Sequence, residues 1–254
     1  MKNLNLPLIA VLAVLTFGAC KSSLKNSEVK SDNSENSLDW SGIYSNVLPC
    51  ADCEGIQTTI VLNRDNTYTK TWRYLDRDVS SFTASGTFSW DADGRKITLS
   101  DIAETPLQYL VGENRLLQLD MEGMEIPTDQ QDLYTLTNID NLVEHHWKLI
   151  EVNGNPVPEG MRTEAYLMFK VEDNRLVGSG GCNSLTASYI VRNGNRLEIT
   201  APVATKMACL DMEVETQLFR ALETTDNYAI LGDTLSLNRA RMAPLAKFVK
   251  TLGR

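Results

Sequence analysis

The chain has 254 residues, 43% of them hydrophobic, with five cysteines and a formal net charge of −9. A surface this acidic repels nucleic acid and anionic lipid headgroups, so no nucleic-acid partner is expected. No phosphate-binding glycine loop, nucleophile elbow or zinc-protease helix occurs, and the reading that follows is a non-enzymatic protein that requires no cofactor.

Residues 1–19 carry Lys2, an apolar run over 6–17 and then the small pair Gly18 and Ala19. The run is too short to cross a bilayer, so the segment reads as a secretory signal peptide. Cys20 follows directly, and this arrangement resembles a lipobox, in which the signal is cut before the cysteine and Cys20 is acylated. Several acyl chains on one residue give stable attachment, so a membrane partner is expected through the lipid anchor. The stretch "KSSLKNSEVKSDNSENS" is almost devoid of apolar residues, and residues 20–38 are read as lipidated cysteine plus flexible linker. Lys21 and Ser22 follow the anchor with no Asp at the second place. By resemblance to Gram-negative lipoprotein sorting, that implies the outer membrane and a periplasm-facing protein.

Residues 39–138 read as short strands. "IQTTIVL" and "TYTKTWRYL" alternate with a period of two and are rich in β-branched and aromatic residues, and turns are expected at 64–66, 91–94 and 112–114. Seven or eight strands in this length point to a mainly β fold, a small antiparallel barrel or sandwich. "WSGIYSNVLPCADCEGIQTTIVL", "WRYLDRD", "SSFTASGTFSW" and "LYTL" resemble the N-terminal domain of the NlpE family of copper-resistance and envelope-stress lipoproteins. The resemblance implies a lipocalin-like β-barrel.

Residues 142–252 begin with "HHWKLIEVNGNPV", where Trp147, Leu149 and Glu151 alternate with Lys148, Ile150 and Val152 before an Asn153-Gly154 turn. "AYLMFKVEDNRLVGSGGCNSLTASYIV" reads as strand, turn, strand, glycine-rich bend and strand. "LDMEVETQLFRALETT" predicts a helix capped by Asp211, with Val214, Leu218, Ala221 and Leu222 on one apolar stripe. "GSGGCNSLTASY" with "ATKMACLDMEVETQLF" resembles the META domain of HslJ-like lipoproteins, which implies an α+β fold: an antiparallel sheet with one packed helix.

Cys182 and Cys209 in an exported chain default to a disulfide, and closing about 27 residues contributes roughly 3–4 kcal/mol by loop entropy. Cys50 and Cys53 leave two readings open. A redox catalyst needs its pair at a helix N-terminus, whereas these lie between Pro49 and Gly55 beside a strand, flanked by Asp52 and Glu54, whose charge disfavours the thiolate. Zinc lacks two further ligands nearby. What remains is a bridge, or a reversible thiol pair on an exposed loop that takes copper(I), the ion that paired soft thiolates select. His145 and His146 point to opposite sides if extended, which makes them a boundary pair and not a metal site. Met168, Met207 and Met212 are expected to fill core gaps.

The leading expectation is an outer-membrane lipoprotein in copper or thiol stress resistance or sensing through Cys50 and Cys53, acting with an envelope protein partner. One alternative is a lipocalin-like carrier of a small hydrophobic ligand. Another is an interaction module centred on the META half.

Overall fold

The period-two alternation that begins at residue 42 produces eight strands, preceded by a helical turn, α1 (Ser34–Ser37). They are β1 (Gly42–Leu48), β2 (Ile56–Leu62), β3 (Thr67–Tyr74), β4 (Phe82–Trp90), β5 (Lys96–Leu99), β6 (Gln108–Gly112), β7 (Arg115–Gln118) and β8 (Thr135–Asn138). A second helical turn, α2 (Gln131–Tyr134), precedes β8. Each strand pairs antiparallel with the next, and β1 returns to β8 through Tyr44 opposite Asn138, so the sheet closes into a barrel without free edges. This computed structural model describes residues 32–77, 80–101, 107–209 and 212–252. Cys20, residues 1–19 and Asp211 lie outside the described residues.

The linker read over 20–38 ends earlier than its composition implied. Asn33 and Asn36 cap α1 reciprocally, Ser34 Oγ donates to the Val111 carbonyl at 2.7 Å, and Glu35 N–H donates to the Gly94 carbonyl at 3.0 Å. Trp40 then packs edge-on against Phe88 and Trp90, at 5.6 and 5.5 Å, and covers that end of the barrel. Inside, Tyr44, Ile60, Tyr68, Ile97, Tyr109, Leu116 and Leu136 are fully buried, each worth about 1.5–3 kcal/mol of apolar transfer where the side chain is aliphatic.

Residues 142–252 form β9 (His146–Val152), β10 (Asn155–Pro156), β11 (Tyr166–Lys170), β12 (Arg175–Ser179), β13 (Ser184–Arg192), β14 (Arg196–Ile199), β15 (Val203–Ala204), α3 (Glu213–Thr224), β16 (Asn227–Leu231), β17 (Thr234–Asn238) and β18 (Ala246–Thr251). The sheet curls further than an open α+β layer: β9 pairs with both β11 and β18, while β14 meets β16 only at Arg196 opposite Asn227. Val214, Leu218, Ala221 and Leu222 of α3 bury against the core that holds Trp147, Phe169, Tyr189 and Phe248. Met212 occupies the N-cap position with no side-chain cap bond. A bulge in β9 corrects the expected alternation. Lys247 pairs with Glu151 and the next residue, Phe248, with Leu149, so Val152 turns inward where strict alternation had placed Glu151.

Both sheets belong to one compact unit, Asp32–Arg254. The outward residues of β1 and β2 do not face solvent: Ser45, Gln57 and Thr59 are buried. Gln57 Nε2 donates to the Tyr189 carbonyl at 3.0 Å, Thr59 Oγ1 to Asn174 Oδ1 at 3.4 Å, and Asn193 N–H to Asn46 Oδ1 at 3.1 Å. Ile43 packs on the second core, so the seam is polar with an apolar edge.

Lys70 is the outlier of the barrel interior. It lies on the inward row of β3, is 6% exposed, and donates to the Tyr109 hydroxyl at 3.3 Å. Burial lowers its pKa from 10.5 to about 8. Keeping it protonated at neutral pH therefore costs roughly 3 kcal/mol. Between about pH 8 and 10.5 the unfolded chain binds a proton that the folded chain does not, so this group makes stability rise with pH across that window. Lys70→Met should raise the unfolding free energy at pH 7 by about 2 kcal/mol, after allowance for the lost Tyr109 partner. The difference between wild type and variant should shrink from pH 8 to 10.5 in denaturant titrations; a destabilised variant at pH 7 would contradict it.

Candidate thiol and metal site

Pro49 ends β1 because it has no N–H to continue the ladder, and the chain turns through Cys50, Ala51, Asp52 and Cys53 before β2 begins. Gly55 is required at the exit: its φ is +154°, and a Cβ there would fall 2.3 Å from Val47 Cγ1. Its carbonyl accepts from Leu75 N–H at 2.9 Å, which ties this loop to the β3–β4 connection. Cys50 and Cys53 are joined, with S–S 2.03 Å and Cα atoms 5.4 Å apart. Both are half-buried, while Asp52 and Glu54 are exposed. The pair sits between two strands with no helix N-terminus to lower a thiol pKa.

The electrostatics differ from the pattern of acids in the local sequence. Asp52 Oδ2 pairs with Arg77 Nη1 at 2.7 Å, so a cation from the β3–β4 connection offsets the acid nearest the sulfurs. The pair is exposed and worth under about 1 kcal/mol. Glu54 hydrogen-bonds Asp76, and that bond, followed by the charge of Asp76, raises its pKa. Glu54, Asp76 and Arg77 from the barrel and Arg192 and Glu198 from the second domain line one cleft of about 390 Å³. Arg192 Nε holds Glu198 Oε1 at 2.7 Å.

Cys50 Sγ, Cys53 Sγ and an Asp52 carboxylate oxygen all lie within 4.8 Å of one another. In the bridged form the sulfurs offer no thiolate. Reduced, they give two soft donors and one hard donor on one side of a loop, a set that fits a soft monovalent ion of low coordination number.

The second pair is built differently. Cys182 is buried, bonded to Cys209 with S–S 2.00 Å and Cα atoms 6.1 Å apart. Asn183 organises the surrounding loop: its Nδ2 donates to Glu215 Oε1 at 2.7 Å, its N–H to Glu215 Oε2 at 2.7 Å, and its Oδ1 accepts from Met207 N–H at 2.8 Å. Sequence reasoning missed Glu215, which sits on the apolar face of α3 and is buried as the acceptor for that loop. Met207 is exposed and not a core filler, because its backbone, not its side chain, is what the loop uses.

His146 stacks on Tyr166 at 4.4 Å with Nδ1 2.9 Å from Thr251 Oγ1, whereas His145 Nε2 lies 3.3 Å from Lys250 Nζ. The two imidazoles diverge. Replacing Cys182 and Cys209 together with Ala should lower the unfolding free energy by about 3 kcal/mol, the loop-entropy value, under non-reducing conditions. A change below about 1 kcal/mol in chemical denaturation would show that the bridge does not hold this loop.

Residues 44–129 match the family model of the NlpE N-terminal domain, and residues 140–251 match that of the META domain. Lipoprotein NlpE from Escherichia coli (strain K12) is 32% identical over 130 residues, 50% of this chain and 53% of that protein. The chain thus spans about half the length of the curated relative it matches. A crystal structure of a putative lipoprotein from Shewanella oneidensis is 50% identical, covering 42% of this chain and 95% of that one, with a TM-score of 0.38. The crystal structure of the Cpx pathway activator NlpE from Escherichia coli is 22% identical, covering 67% of this chain and 98% of that one, with a TM-score of 0.30. Such TM-scores leave the fold to be read from the strand pairings themselves. In sequence the chain is thus a match to the NlpE N-terminal domain followed by a match to the META domain.

Proposed function

We propose that this chain is an envelope lipoprotein, anchored in the outer membrane through Cys20 and facing the periplasm, whose Cys50–Cys53 loop responds to copper or thiol stress. The observation that carries the reading is the convergence of two sulfurs and one carboxylate on a half-buried surface loop. The match to a protein named as a lipoprotein supports the envelope setting.

Reduction by an external dithiol breaks the sulfur–sulfur bond: two electrons and two protons enter, two thiols form, and the reductant leaves as its own disulfide. Arg77 offsets the charge of Asp52, the carboxylate that lies beside the sulfurs. Cys50, Cys53 and Asp52 are the residues that would hold Cu(I), and Glu54 places the same loop against Arg192 of the META half. A change in the loop is therefore positioned to reach the second domain and an envelope protein partner beyond it.

Titration of the reduced full chain against a Cu(I) chelator tests the assignment. Wild type should withdraw one equivalent of Cu(I), and the Cys50→Ser, Cys53→Ser double variant should bind at least about tenfold more weakly, in keeping with the loss of both thiolate ligands. Equal competition by the two proteins would remove copper from this loop.

A further inference from the structure

Two Asn-Gly steps occur in the chain, Asn153-Gly154 and Asn193-Gly194, each at the turn of a hairpin. Such a step lets an asparagine side chain meet the next backbone nitrogen, because glycine has no Cβ to shield it. The fold treats the two differently. Asn153 reaches away from its own turn, with Nδ2 3.5 Å from Gln217 Oε1 of α3.

Asn193 folds back over its turn instead. Gly194 N–H donates to Asn193 Oδ1 at 2.8 Å. With a C=O bond of about 1.23 Å, the amide carbon Cγ therefore lies within about 4 Å of that nitrogen, near the roughly 3–3.5 Å from which a bond forms. The barrel holds the amide in this place: Thr137 Oγ1 of β8 donates to the same Oδ1 at 3.0 Å, and Nδ2 donates to the Asp132 carbonyl of α2 at 3.3 Å. The Thr137 hydroxyl polarises the side-chain carbonyl and meets the oxyanion that attack on Cγ creates. Asn193 is half-buried, but Gly194 is exposed, with nothing within 4 Å of where a Cβ would stand, so hydroxide reaches the turn.

We propose that Asn193 is a site of self-modification, where the chain deamidates at the junction of its two domains. Hydroxide takes the proton of Gly194 N–H, and a turn about the Cβ–Cγ bond presents Cγ to the nitrogen. The nitrogen–Cγ bond forms, the Cγ–Nδ2 bond breaks, and ammonia leaves with a proton from water. Water then opens the succinimide at either carbonyl, giving aspartate or isoaspartate. Both products lose the Nδ2 donor to the Asp132 carbonyl and gain a negative charge there, and isoaspartate also lengthens the backbone beside the bond from Asn193 N–H to Asn46. The reaction needs water alone and is independent of Cys50 and Cys53.

Incubation of the native full chain in mildly alkaline buffer, followed by mass analysis of the peptides that contain Asn153 and Asn193, tests the site. Asn193 should convert about tenfold or more faster than Asn153 in the folded chain, and the two should convert alike in urea, since the preference belongs to the fold. Thr137→Val should slow conversion at Asn193 by about fivefold, the factor that one neutral hydrogen bond supplies, and leave Asn153 unchanged. Thr137→Ser, which keeps the hydroxyl, should retain the wild-type rate. The proposal is overturned if Asn153 converts as fast as Asn193 in the native chain, if the same preference persists in urea, or if Thr137→Val and Thr137→Ser behave alike.

Discussion

The burial of a polar strand face holds this molecule together. Ser45, Gln57 and Thr59 project outward from a hairpin whose inner face already fills a barrel, and burying them costs energy unless each finds a partner. Ser45 Oγ is satisfied inside the hairpin by the Thr58 carbonyl and the Thr59 hydroxyl, whereas Gln57 and Thr59 find partners in the second domain, the Tyr189 carbonyl and the Asn174 side chain, and the Asn193 N–H donates to neighbouring Asn46. Once the seam is satisfied, the β13–β14 hairpin with Arg192 and Glu198 is fixed beside the loop that carries Cys50 and Cys53. Residues of both halves therefore line one cleft beside that loop.

The two cysteine pairs divide the labour along the same line. Cys182 is enclosed by the Gly180, Gly181 and Asn183 loop, where a Cβ at Gly180 would fall 2.5 Å from Glu215 Cγ. Its partner Cys209 is half-buried at the end of the exposed stretch 205–208. Cys50 and Cys53 lie on a connection whose outer residues, Pro49, Ala51, Asp52 and Glu54, are exposed. One pair closes a loop of the core, and the other occupies a surface that reagents reach.

Much of this was legible in the sequence, and the misses have specific causes. Period-two patterning in "IQTTIVL" and "TYTKTWRYL" located β2 and β3, and a helical stripe located α3, because both patterns record which face meets a core. Patterning cannot tell a polar face in water from a polar face against another domain, so the seam at Gln57 was invisible. Arg77 was missed because its pairing with Asp52 spans 25 residues and depends on how the β3–β4 connection folds back. The bulge at Ile150 left no local mark, since Lys148, Ile150 and Val152 alternate acceptably in either register. Lys70 was readable: the same alternation that made Tyr68 and Trp72 inward residues made the lysine between them inward too.

The central claim is that Cys50 and Cys53 form the reversible pair while Cys182 and Cys209 form a permanent one. Graded reduction of the native full chain, followed by alkylation and mass analysis of each cysteine peptide, tests it most directly. The account predicts alkylation of Cys50 and Cys53 at reductant concentrations that leave the Cys182–Cys209 bridge intact. Simultaneous opening of both bridges, or earlier opening of Cys182–Cys209, would contradict it.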